Sequence, residues 1–385
     1  MLDNAREIEP KLVQWRREFH RHPELGFQEF KTSARVAEVL QELNCRVRTG
    51  VGKTGVIGEL GQSTPVVAIR ADMDALPIQE ANDRPYASQV PEVMHACGHD
   101  AHISMLLGVA TLLSKEDFPG TVRLLFQPSE EVADAEGISG APRMIADGVM
   151  EGVDRVISLH VDPATPVGAI RVAAGPFSGG VDSFFATIYG EGGHGARPHE
   201  LVDPIYIASH VILVLHGIVS RKLNPFAPAV VSIGSIHGGQ AENVIPERVD
   251  ITGTIRFMEE DVRRQIHREI DQALQITRTM GGNYGLEFEI GTPPMINDPG
   301  VVNLILEVAT DLLGSQHVLP PLRGLGAEDF GCFSEIAPGA MFVLGCQIKE
   351  DERLIHNPRF DIDERCLPVG TAILAETALR FLRNL

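Results

Sequence analysis

Hydrophobic and polar positions follow two different periods along the N-terminal third of the chain. Helix-type periodicity covers residues 4–21, 31–44 and 102–115. Three other segments, 65–74, 121–131 and 155–161, contain consecutive apolar residues and predict buried strands, the first of which runs into a polar end. Because strands that are apolar on both faces are typical of a parallel sheet covered by helices, this third of the chain predicts an α/β domain.

The pattern changes near residue 177 and predicts a different kind of domain. The predicted elements, in order, are a strand from about 181, a helix at 203–221 with Asp203 as its cap, strands at 229–239 and 247–257, a helix at 259–280 and a strand at 284–291. This β-α-β-β-α-β order is the split unit of a ferredoxin-like domain.

After residue 292 the first pattern resumes, with a helix at 301–314, a strand at 339–346 and a closing helix at 368–384. We therefore predict a large domain formed by residues 1–176 and 293–385, in which a mostly parallel sheet is flanked by helices. The segment 177–292 is predicted to be an inserted ferredoxin-like α+β domain.

Length, charge and cysteine usage narrow the class of protein. A chain of 385 residues is longer than one ordinary core requires and suits two domains. The formal net charge of −19 repels phosphate backbones and argues against a nucleic-acid partner. We judge no apolar run long enough to span a bilayer, and the first residues lack the apolar core of a signal peptide. The five cysteines have no framework spacing, which favours reduced thiols and a cytoplasmic protein without a membrane partner.

Acidic and imidazole side chains follow the predicted strands of the large domain. The first strand leads into Asp72 and Asp74, and the second into Glu130 and Glu131. His160 ends the third strand. Because ligands of open α/β sheets bind beyond the carboxyl ends of the strands, these side chains are candidates for one common site.

The segment MHACGHDAH at 94–102 adds further ligand-type side chains. Cys97 and His99 lie two apart in a stretch predicted to be extended, where alternate side chains share a face. A thiolate combined with imidazoles and carboxylates suits Zn²⁺ or a related transition ion better than Mg²⁺ or Ca²⁺. Each group also has an ordinary alternative: His99 as a polar-loop residue, His160 as a core histidine and the glutamate pair as solvated surface. Their joint placement at strand ends favours a metal site.

Nine short segments occur in the order in which one enzyme family has them: RADMDALP (70–77), MHACGHDAH (94–102), QPSEE (127–131), SLH (158–160), GGHGARPH (192–199), NVIPE (243–247), GTIRF (253–257), GAEDF (326–330) and IHNPRF (355–360). By these segments the chain resembles the metal-dependent aminoacylase/carboxypeptidase superfamily. It is most similar to the branch of hippurate hydrolases, N-acyl-L-amino-acid amidohydrolases and plant auxin-conjugate hydrolases. The resemblance covers nearly the whole chain.

The resemblance implies a centre with two divalent metal ions, either Zn²⁺ or Mn²⁺, with Co²⁺ or Ni²⁺ as alternatives. The implied ligands are Cys97, His99, Glu131, His160 and His356. The resemblance further implies that Glu130 is the general base and that Asp74 supports a ligand from behind.

It also implies roles for the inserted domain, as a lid and as the interface of a homodimer. His194 would stabilise the oxyanion in the partner subunit's site, and Asn243 and Arg256 would bind the substrate's carboxylate. For two acidic residues of the large domain the resemblance implies no ligand role. Asp72 occupies a position where other branches carry a histidine ligand, so the resemblance implies that it is no ligand here, and the role of Asp100 stays open.

The implied activity is hydrolysis of N-acyl-L-amino acids to a carboxylic acid and a free amino acid. Alternatives are a dipeptidase or carboxypeptidase on the same scaffold, a hydrolase in which His95 or His99 activates Cys97 as nucleophile, and a non-catalytic metal-binding protein. Residues 132–142 are longer than the usual glycine-rich run of the family, which leaves the shape of the pocket beside the site open.

Overall fold

The computed structural model describes residues 1–322, 324–348 and 353–383. The helices are α1 Leu2–Glu7, α2 Glu9–Arg21, α3 Phe30–Glu42, α4 His99–Leu113, α5 Gly140–Ala146, α6 Pro204–Arg221, α7 Glu260–Leu274, α8 Ile276–Thr279, α9 Pro299–Leu313, α10 Phe330–Ser334 and α11 Leu367–Arg383. The strands are β1 Arg46–Val51, β2 Gly55–Gly61, β3 Val66–Asp72, β4 Thr121–Gln127, β5 Arg155–Pro166, β6 Ile170–Arg171, β7 Gly175–Ser178, β8 Gly180–Tyr189, β9 Gly193–His194, β10 Ala229–Gly238, β11 Val244–Ile245, β12 Arg248–Phe257, β13 Asn283–Ile290, β14 Met295–Asn297, β15 Val318–Leu319 and β16 Gly339–Gln347. Short 3₁₀ helices lie at Pro198–Glu200, Ser315–His317 and Glu364–Cys366.

The chain divides into two compact units, each with its own hydrophobic core. The first unit contains Met1–Gly175, Ile296–Leu322 and the residues from Asp329 onward. The second contains Pro176–Met295 and a short segment that ends at Glu328. The segment 177–292, predicted to be an inserted domain, lies within the second unit.

The sheet of the first unit is mixed and has the strand order β1-β2-β4-β3-β5-β16-β6-β15. Its middle strands β4, β3, β5 and β16 run parallel, and β1 and β2 pair antiparallel with their neighbours. β6 pairs antiparallel with β16 and parallel with β15. The predicted α/β class is confirmed. The sequence pattern does not predict the hairpin β1–β2, because β1 is an edge strand whose residues are mostly exposed and lack an apolar period.

Helix α4 lies at the centre of the first unit, and every one of its residues is buried. It packs on β3 and against α2, α3 and α11. The helix begins at His99, earlier than the predicted 102. Its polar start HDAH is buried like the rest of the helix. Its first residues therefore stand inside the protein, where each polar side chain needs a partner.

Two predicted helices are broken in the structure. The predicted helix 4–21 divides into α1 and α2 at Ile8, because Pro10 lacks an N–H group and fits the first turn of a new helix. The predicted helix 259–280 divides into α7 and α8 at Gln275. Amphipathic periodicity continues across both breaks, which is why the sequence pattern did not reveal them.

The second unit has a four-stranded antiparallel sheet of order β10-β12-β8-β13. With α6 and α7, this is the predicted ferredoxin-like arrangement. Asp203 caps α6 as predicted, since its Oδ1 accepts hydrogen bonds from the N–H groups of Ile205 at 2.9 Å and Tyr206 at 3.2 Å.

Helix α6 differs from one expectation. Its 18 residues have a mean hydropathy of 1.3, so that by length and composition alone it is long and apolar enough to cross a membrane, and the expectation that no segment would be was wrong. One third of the helix is buried. That buried face includes Ile207, Val211 and Leu215 and belongs to the core of the second unit, as in a helix that packs on a sheet.

A buried carboxylate joins α7 to the sheet of the second unit. Asp182, on β8, accepts two hydrogen bonds of 2.7 Å from the Arg263 guanidinium and one of 2.7 Å from His267 Nε2. It also accepts the N–H of Gly291 at 3.0 Å. Burial raises the pKa of Asp182, but the hydrogen bonds from His267 and Arg263 outweigh it and hold the pKa below its ordinary value.

We expect Asp182→Asn to lower the free energy of unfolding of the second unit by about 3 kcal/mol at neutral pH, because one partner of a buried ion pair is lost. A lowered carboxyl pKa stabilises the fold fully above the pKa of the unfolded chain, and this contribution is lost as the pH falls towards the folded pKa. The difference between wild type and variant should therefore shrink as the pH falls below 3.8, the ordinary value for Asp. Chemical denaturation at neutral and acid pH measures this difference. Asp261→Asn, at an exposed carboxylate of the same helix, is the control, and a loss that is equal at both pH values contradicts the account.

Candidate metal centre

Three parallel strands end side by side at one edge of the first sheet. β3 pairs with both β4 and β5, so that Asp72 lies opposite Gln127 and Arg70 lies opposite Ser158. Because the carboxyl ends of parallel strands meet at the same edge, the segments that follow them come together there. These segments carry Asp74, the pair Glu130–Glu131, and His160 in the continuation of β5.

The N-terminus of α4 reaches the same edge through a single glycine. Gly98 has a φ of +91° and directly precedes His99, the first residue of the helix. A Cβ atom at position 98 would lie 2.3 Å from Cγ2 of Val161, so both the backbone conformation and the close approach to β5 require glycine. Cys97 and His99 therefore flank a tight turn, and the predicted extended conformation of this segment was wrong.

Two imidazoles are oriented by hydrogen bonds from their Nδ1 atoms. Nδ1 of His99 lies 2.9 Å from the carbonyl oxygen of Asp74 and 3.2 Å from its Oδ1. Nδ1 of His160 lies 2.8 Å from the carbonyl oxygen of Val161. A ring that donates from Nδ1 has its lone pair on Nε2 when neutral, so both rings offer Nε2 to a metal ion. Nε2 of His99 is buried and has no hydrogen-bond partner among the described residues.

The donor atoms form two groups that share Cys97. Sγ of Cys97 lies 3.4 Å from Nε2 of His160, and with a donor of His99 these atoms all lie within 4.8 Å of one another. Donor atoms of Cys97, Glu131 and His356 meet the same limit, and Nε2 of His356 lies 3.0 Å from Oε1 of Glu131. All five residues that the resemblance implied as ligands are therefore brought together.

The last of these residues arrives from a distant part of the chain. His356 follows Glu131 by 225 residues and has a φ of +61°, which is unusual for a residue other than glycine. Its backbone N–H donates to the carbonyl oxygen of Ala96 at 2.7 Å, directly beside Cys97. This hydrogen bond holds the segment IHNPRF against the segment that contains Cys97.

Asp74 connects the two segments that carry the remaining donors. Its Oδ1 lies beside Nδ1 of His99, and its Oδ2 accepts the backbone N–H of Glu131 at 2.9 Å. Donor atoms of His99, Glu130 and Glu131 also lie within 4.8 Å of one another. Glu130 is therefore adjacent to the candidate ligands.

The electrostatic environment favours positive charge at this point. Burial lowers the pKa of His99, but the charge of Asp72 and the hydrogen bond that the ring donates to Asp74 outweigh it and raise the pKa well above its ordinary value. The carboxylates thus stabilise a cation at the ring, and a metal ion can replace the proton there. The candidate donors are a thiol, three imidazoles and a carboxylate, and Nε2 of His99 is buried without a hydrogen-bond partner among the described residues. This donor set fits divalent transition ions such as Zn²⁺ or Mn²⁺.

His102, the third histidine of MHACGHDAH, has a different role. Its Nδ1 donates to Oδ1 of Asp72 at 2.6 Å, and its Nε2 accepts the N–H of Val161 at 3.0 Å. Burial lowers the pKa of His102 to about 4, so the ring is neutral and both nitrogens are already used. Asp72 is engaged too, since its Oδ2 accepts a hydrogen bond of 2.6 Å from Arg70. The ring of His102 is therefore occupied, and Asp72 holds it and Arg70 in place, although the oxygens of Asp72 also lie near Nε2 of His99.

Asp100 also lies outside the donor groups. Its Oδ2 accepts hydrogen bonds from Nε of Arg16 at 2.9 Å and from Nδ1 of His20 at 2.8 Å, in a buried cluster behind the site. Sequence reasoning did not identify Arg16 or His20. The signal that could have found them is the presence of charged side chains on the apolar face of α2, which also carries Leu12 and Phe19.

The geometry argues against Cys97 as a nucleophile. Burial raises the pKa of the Cys97 thiol well above its ordinary value, whereas nucleophilic cysteines have a lowered pKa. Burial also lowers the pKa of His95 to about 3, and neither of its ring nitrogens has a hydrogen-bond partner in the described part of the chain. His95 is therefore not paired with the thiol among the described residues. The imidazoles beside Cys97 are those of His99 and His160, which belong to the same donor group.

The second unit brings two of its predicted site residues together. β9 and β11 form a two-stranded ribbon in which His194 pairs with Val244, and the carbonyl oxygen of Asn243 accepts the N–H of Gly195 at 2.8 Å. Nδ1 of His194 accepts the N–H of Ala196 at 3.1 Å, so that a neutral ring carries its proton on Nε2. The exposed imidazole can therefore donate a hydrogen bond from Nε2.

Arg256 lies on β12 of the same unit and is half-buried. Burial lowers the pKa of its guanidinium, and among the described residues it has no ion-pair partner. A half-buried guanidinium without a carboxylate partner can bind an anionic group of a ligand.

Comparison with known proteins identifies the family. The model of the peptidase family M20/M25/M40 matches residues 68–380. Thermostable carboxypeptidase 1 of Saccharolobus solfataricus is 39% identical over 99% of this chain and 98% of its own length. N-acetyl-L-cysteine deacetylase of Bacillus subtilis is 38% identical over 98% of this chain and 90% of its own. The IAA-amino acid hydrolase ILR1-like 2 of Arabidopsis thaliana is 36% identical, with 98% and 87% covered.

A solved structure shares both the fold and the length of the chain. The Bacillus subtilis YXEP protein, described as a dinuclear metal binding peptidase of the M20 family, superposes with a TM-score of 0.86 at 34% identity. The match covers 99% of this chain and all of that one. The resemblance inferred from the nine sequence segments is confirmed. The chain therefore belongs to the M20/M25/M40 peptidase family, and it is a hydrolase that acts on amide bonds.

Proposed function

We propose that the protein is a metal-dependent amidohydrolase that cleaves N-acyl-L-amino acids into a carboxylic acid and a free amino acid. The observation that carries the proposal is the pair of donor groups that share Cys97, with the carboxylate of Glu130 beside them. Relatives whose names specify such substrates, an N-acetyl-L-cysteine deacetylase and an IAA-amino acid hydrolase, support the substrate class.

We infer that Cys97, His99, Glu131, His160 and His356 hold two divalent ions. Cys97 belongs to both donor groups, so its thiolate would be a ligand common to them. When bound, the ions supply the Lewis acidity that polarises the scissile carbonyl and lowers the pKa of the attacking water. Zn²⁺ and Mn²⁺ are the ions we favour, with Co²⁺ and Ni²⁺ as alternatives.

The two adjacent glutamates divide the work between them. Glu131 is committed to the ligand set, whereas Glu130 takes the proton of the attacking water and returns it to the departing amine. Asp74 holds Glu131 and His99 in place, because it accepts hydrogen bonds from the backbone of Glu131 and from the ring of His99. We therefore assign Asp74 a supporting role and Glu130 the role of general base.

The substrate's carboxylate is the group that Arg256 and Asn243 are proposed to bind. The half-buried guanidinium of Arg256 supplies the positive charge. His194 can donate from Nε2 to the oxyanion that develops on the scissile carbonyl.

We place the protein in the cytoplasm as a homodimer, with the second unit as lid and interface, so that His194 serves the partner's site. Exposed apolar side chains on α6, among them Tyr206 and Leu213, support an interface on that unit.

A carboxypeptidase is the second candidate, and a specific observation favours it. Thermostable carboxypeptidase 1 is as similar to this chain as the deacetylase is, over nearly the full length of both. The same ligands and base would cleave a C-terminal peptide bond, since that bond is also an amide next to a free carboxylate. The two candidates differ in the group on the acyl side of the bond.

We expect the purified protein to hold divalent metal, and His99→Ala or His160→Ala to weaken its binding at least about tenfold, since each removes a donor. Metal content after dialysis, measured by mass spectrometry, tests this ligand set. The matched control is His22→Ala, which removes an exposed imidazole at the end of α2. Unchanged metal content in both ligand variants contradicts the assignment.

Chelation should abolish amino-acid release from N-acetyl, N-benzoyl and indole-acyl amino acids, and adding Mn²⁺, Zn²⁺ or Co²⁺ should restore it. Release is measured on these substrates, on dipeptides and on longer peptides, which ranks the two candidates. The control substrates are the same N-acyl amino acids as carboxamides, which lack the carboxylate for Arg256. Activity that persists after the metal has been shown to be removed rules out the proposed mechanism.

Glu130→Gln keeps the size of the side chain and removes the base, so kcat should fall by about 10² to 10⁴ while the metal content stays unchanged. Steady-state kinetics and metal analysis on the same preparation measure both quantities. Glu136→Gln, at an exposed carboxylate of the adjoining loop, is the control. If Glu130→Gln retains full turnover, another group is the base.

A further inference from the structure

The turn that carries the two glutamates is held in an unusual conformation. Ser129, the residue before Glu130, is fully buried and has a φ of +46°, which costs energy in any residue other than glycine. Its Oγ donates to the carbonyl oxygen of Val132 at 2.8 Å, and its carbonyl oxygen accepts the N–H of Gly140 at 2.8 Å. Surrounding contacts must therefore hold this turn, since its own backbone preference does not.

Glu29 supplies the contact to the one backbone donor of Ser129. The Glu29 side chain is completely buried, and its Oε1 accepts the N–H of Ser129 at 2.8 Å. Its Oε2 accepts a hydrogen bond of 2.5 Å from Oγ1 of Thr54, which lies in the turn of the hairpin β1–β2. Without Glu29, the buried N–H of Ser129 would lose its partner, which is unfavourable enough to drive a rearrangement.

The space around Ser129 leaves the turn few other positions. A Cβ atom on Gly26 would lie 2.3 Å from Oγ of Ser129, and one on Gly140 would lie 1.6 Å from the carbonyl oxygen of Pro128. Close backbone contacts therefore enclose the turn on two sides, and Glu29 supplies the hydrogen bond to its N–H. A shift of Ser129 would move the two residues that follow it in the chain.

We propose that Glu29 is a positioning residue for the reaction, because it fixes the turn at Ser129 and thereby the places of Glu130 and Glu131. This inference rests on the proposed function for the role of Glu130 as base. The effect of Glu29 on the position of Glu131 concerns metal binding alone and can be measured without a substrate.

This role requires a side chain as long as that of glutamate, but it does not require a negative charge. Burial raises the pKa of Glu29 to about 7, so both the acid and the carboxylate exist near neutral pH, and either form accepts the Ser129 N–H. Glutamine has the same length, keeps an acceptor for Ser129 and can donate its amide to Thr54. Aspartate keeps the charge but is shorter by one methylene group and does not span the distance between Ser129 and Thr54.

A matched control exists near the start of α3, the helix that Glu29 directly precedes. Glu24 is also an anchor for α3, since its Oε2 accepts the N–H of Thr32 at 2.9 Å and Oε1 and Oε2 accept the N–H of Lys31. In the part of the chain that the structure describes, the Glu24 carboxylate bonds to this helix and not to the turn. Glu24→Ala therefore reports the effect of a loosened helix start without a change at Ser129.

The experiment compares Glu29→Ala, Glu29→Asp, Glu29→Gln and Glu24→Ala with the wild type. Thermal denaturation first establishes which variants fold. The apoenzymes are titrated with Co²⁺, which gives a dissociation constant and a visible absorption spectrum of the bound ion. The metal-loaded enzymes are then assayed for kcat and KM on an N-acyl amino acid.

We expect Glu29→Ala and Glu29→Asp to lower kcat about 100-fold, because a misplaced base loses about that much, while KM stays within about threefold. Both should bind Co²⁺ about 10- to 100-fold more weakly and with an altered spectrum. Glu29→Gln should restore kcat, Co²⁺ affinity and spectrum to nearly wild-type values, and Glu24→Ala should leave all of them unchanged. If Glu29→Ala fails to fold, the comparison of Asp with Gln carries the test.

Three results contradict the inference. In the first, Glu29→Asp keeps the Co²⁺ affinity and kcat of the wild type. In the second, Glu29→Gln loses as much Co²⁺ affinity and kcat as Glu29→Asp, and in the third, Glu24→Ala loses as much of both as Glu29→Ala. A wild-type enzyme that releases no amino acid contradicts the proposed function instead, and the Co²⁺ titration then decides the role of Glu29 alone.

Discussion

A single carboxylate, Asp74, joins the two segments on which the candidate metal centre depends. One of its oxygens lies beside the His99 ring at the start of α4, and the other binds the backbone of Glu131 after β4. Both connections are local irregularities of the backbone, since a left-handed glycine directly precedes His99 and the strained Ser129 precedes the glutamate pair. Through Asp74 the imidazole of the CGH turn is thus linked to the backbone of the glutamate pair.

Behind this link lies a layer of buried ions. Arg16 donates to Asp100 and to Asp361, and Arg70 donates to Asp72 and to Asp329, all with fully or nearly fully buried side chains. Buried ion pairs add little net stability, because desolvation offsets their attraction. We interpret them as a scaffold of directional bonds, which hold the donors more precisely than apolar packing would.

The sequence was sufficient to predict the α/β class, the ferredoxin-like second sheet and the residues that meet at the strand ends. The prediction that Cys97 and His99 share one site had a wrong reason. It assumed an extended segment with alternating side chains, whereas Gly98 makes a turn there. Periodicity reports which face of an element is buried, but it contains no information on a turn that a single positive φ produces.

The sequence also could not predict which buried polar groups form hydrogen bonds with one another. His99 and His102 are equally plausible ligands by residue type, and only the hydrogen bonds show that both nitrogens of His102 are occupied. Glu29 gave no signal at all, because a glutamate just before a helix reads as an ordinary cap residue.

Glu131 and His356 touch although 225 residues separate them, and the whole second unit lies between them in the chain. Contacts of such high sequence separation form only after the intervening chain has folded or been looped out, which makes them late events. A chain still in synthesis thus has strands, helices and most of the donors, but it lacks the last one. Under the proposed ligand set, hydrolytic competence is consequently a property of a chain that has been synthesised beyond His356 and has folded.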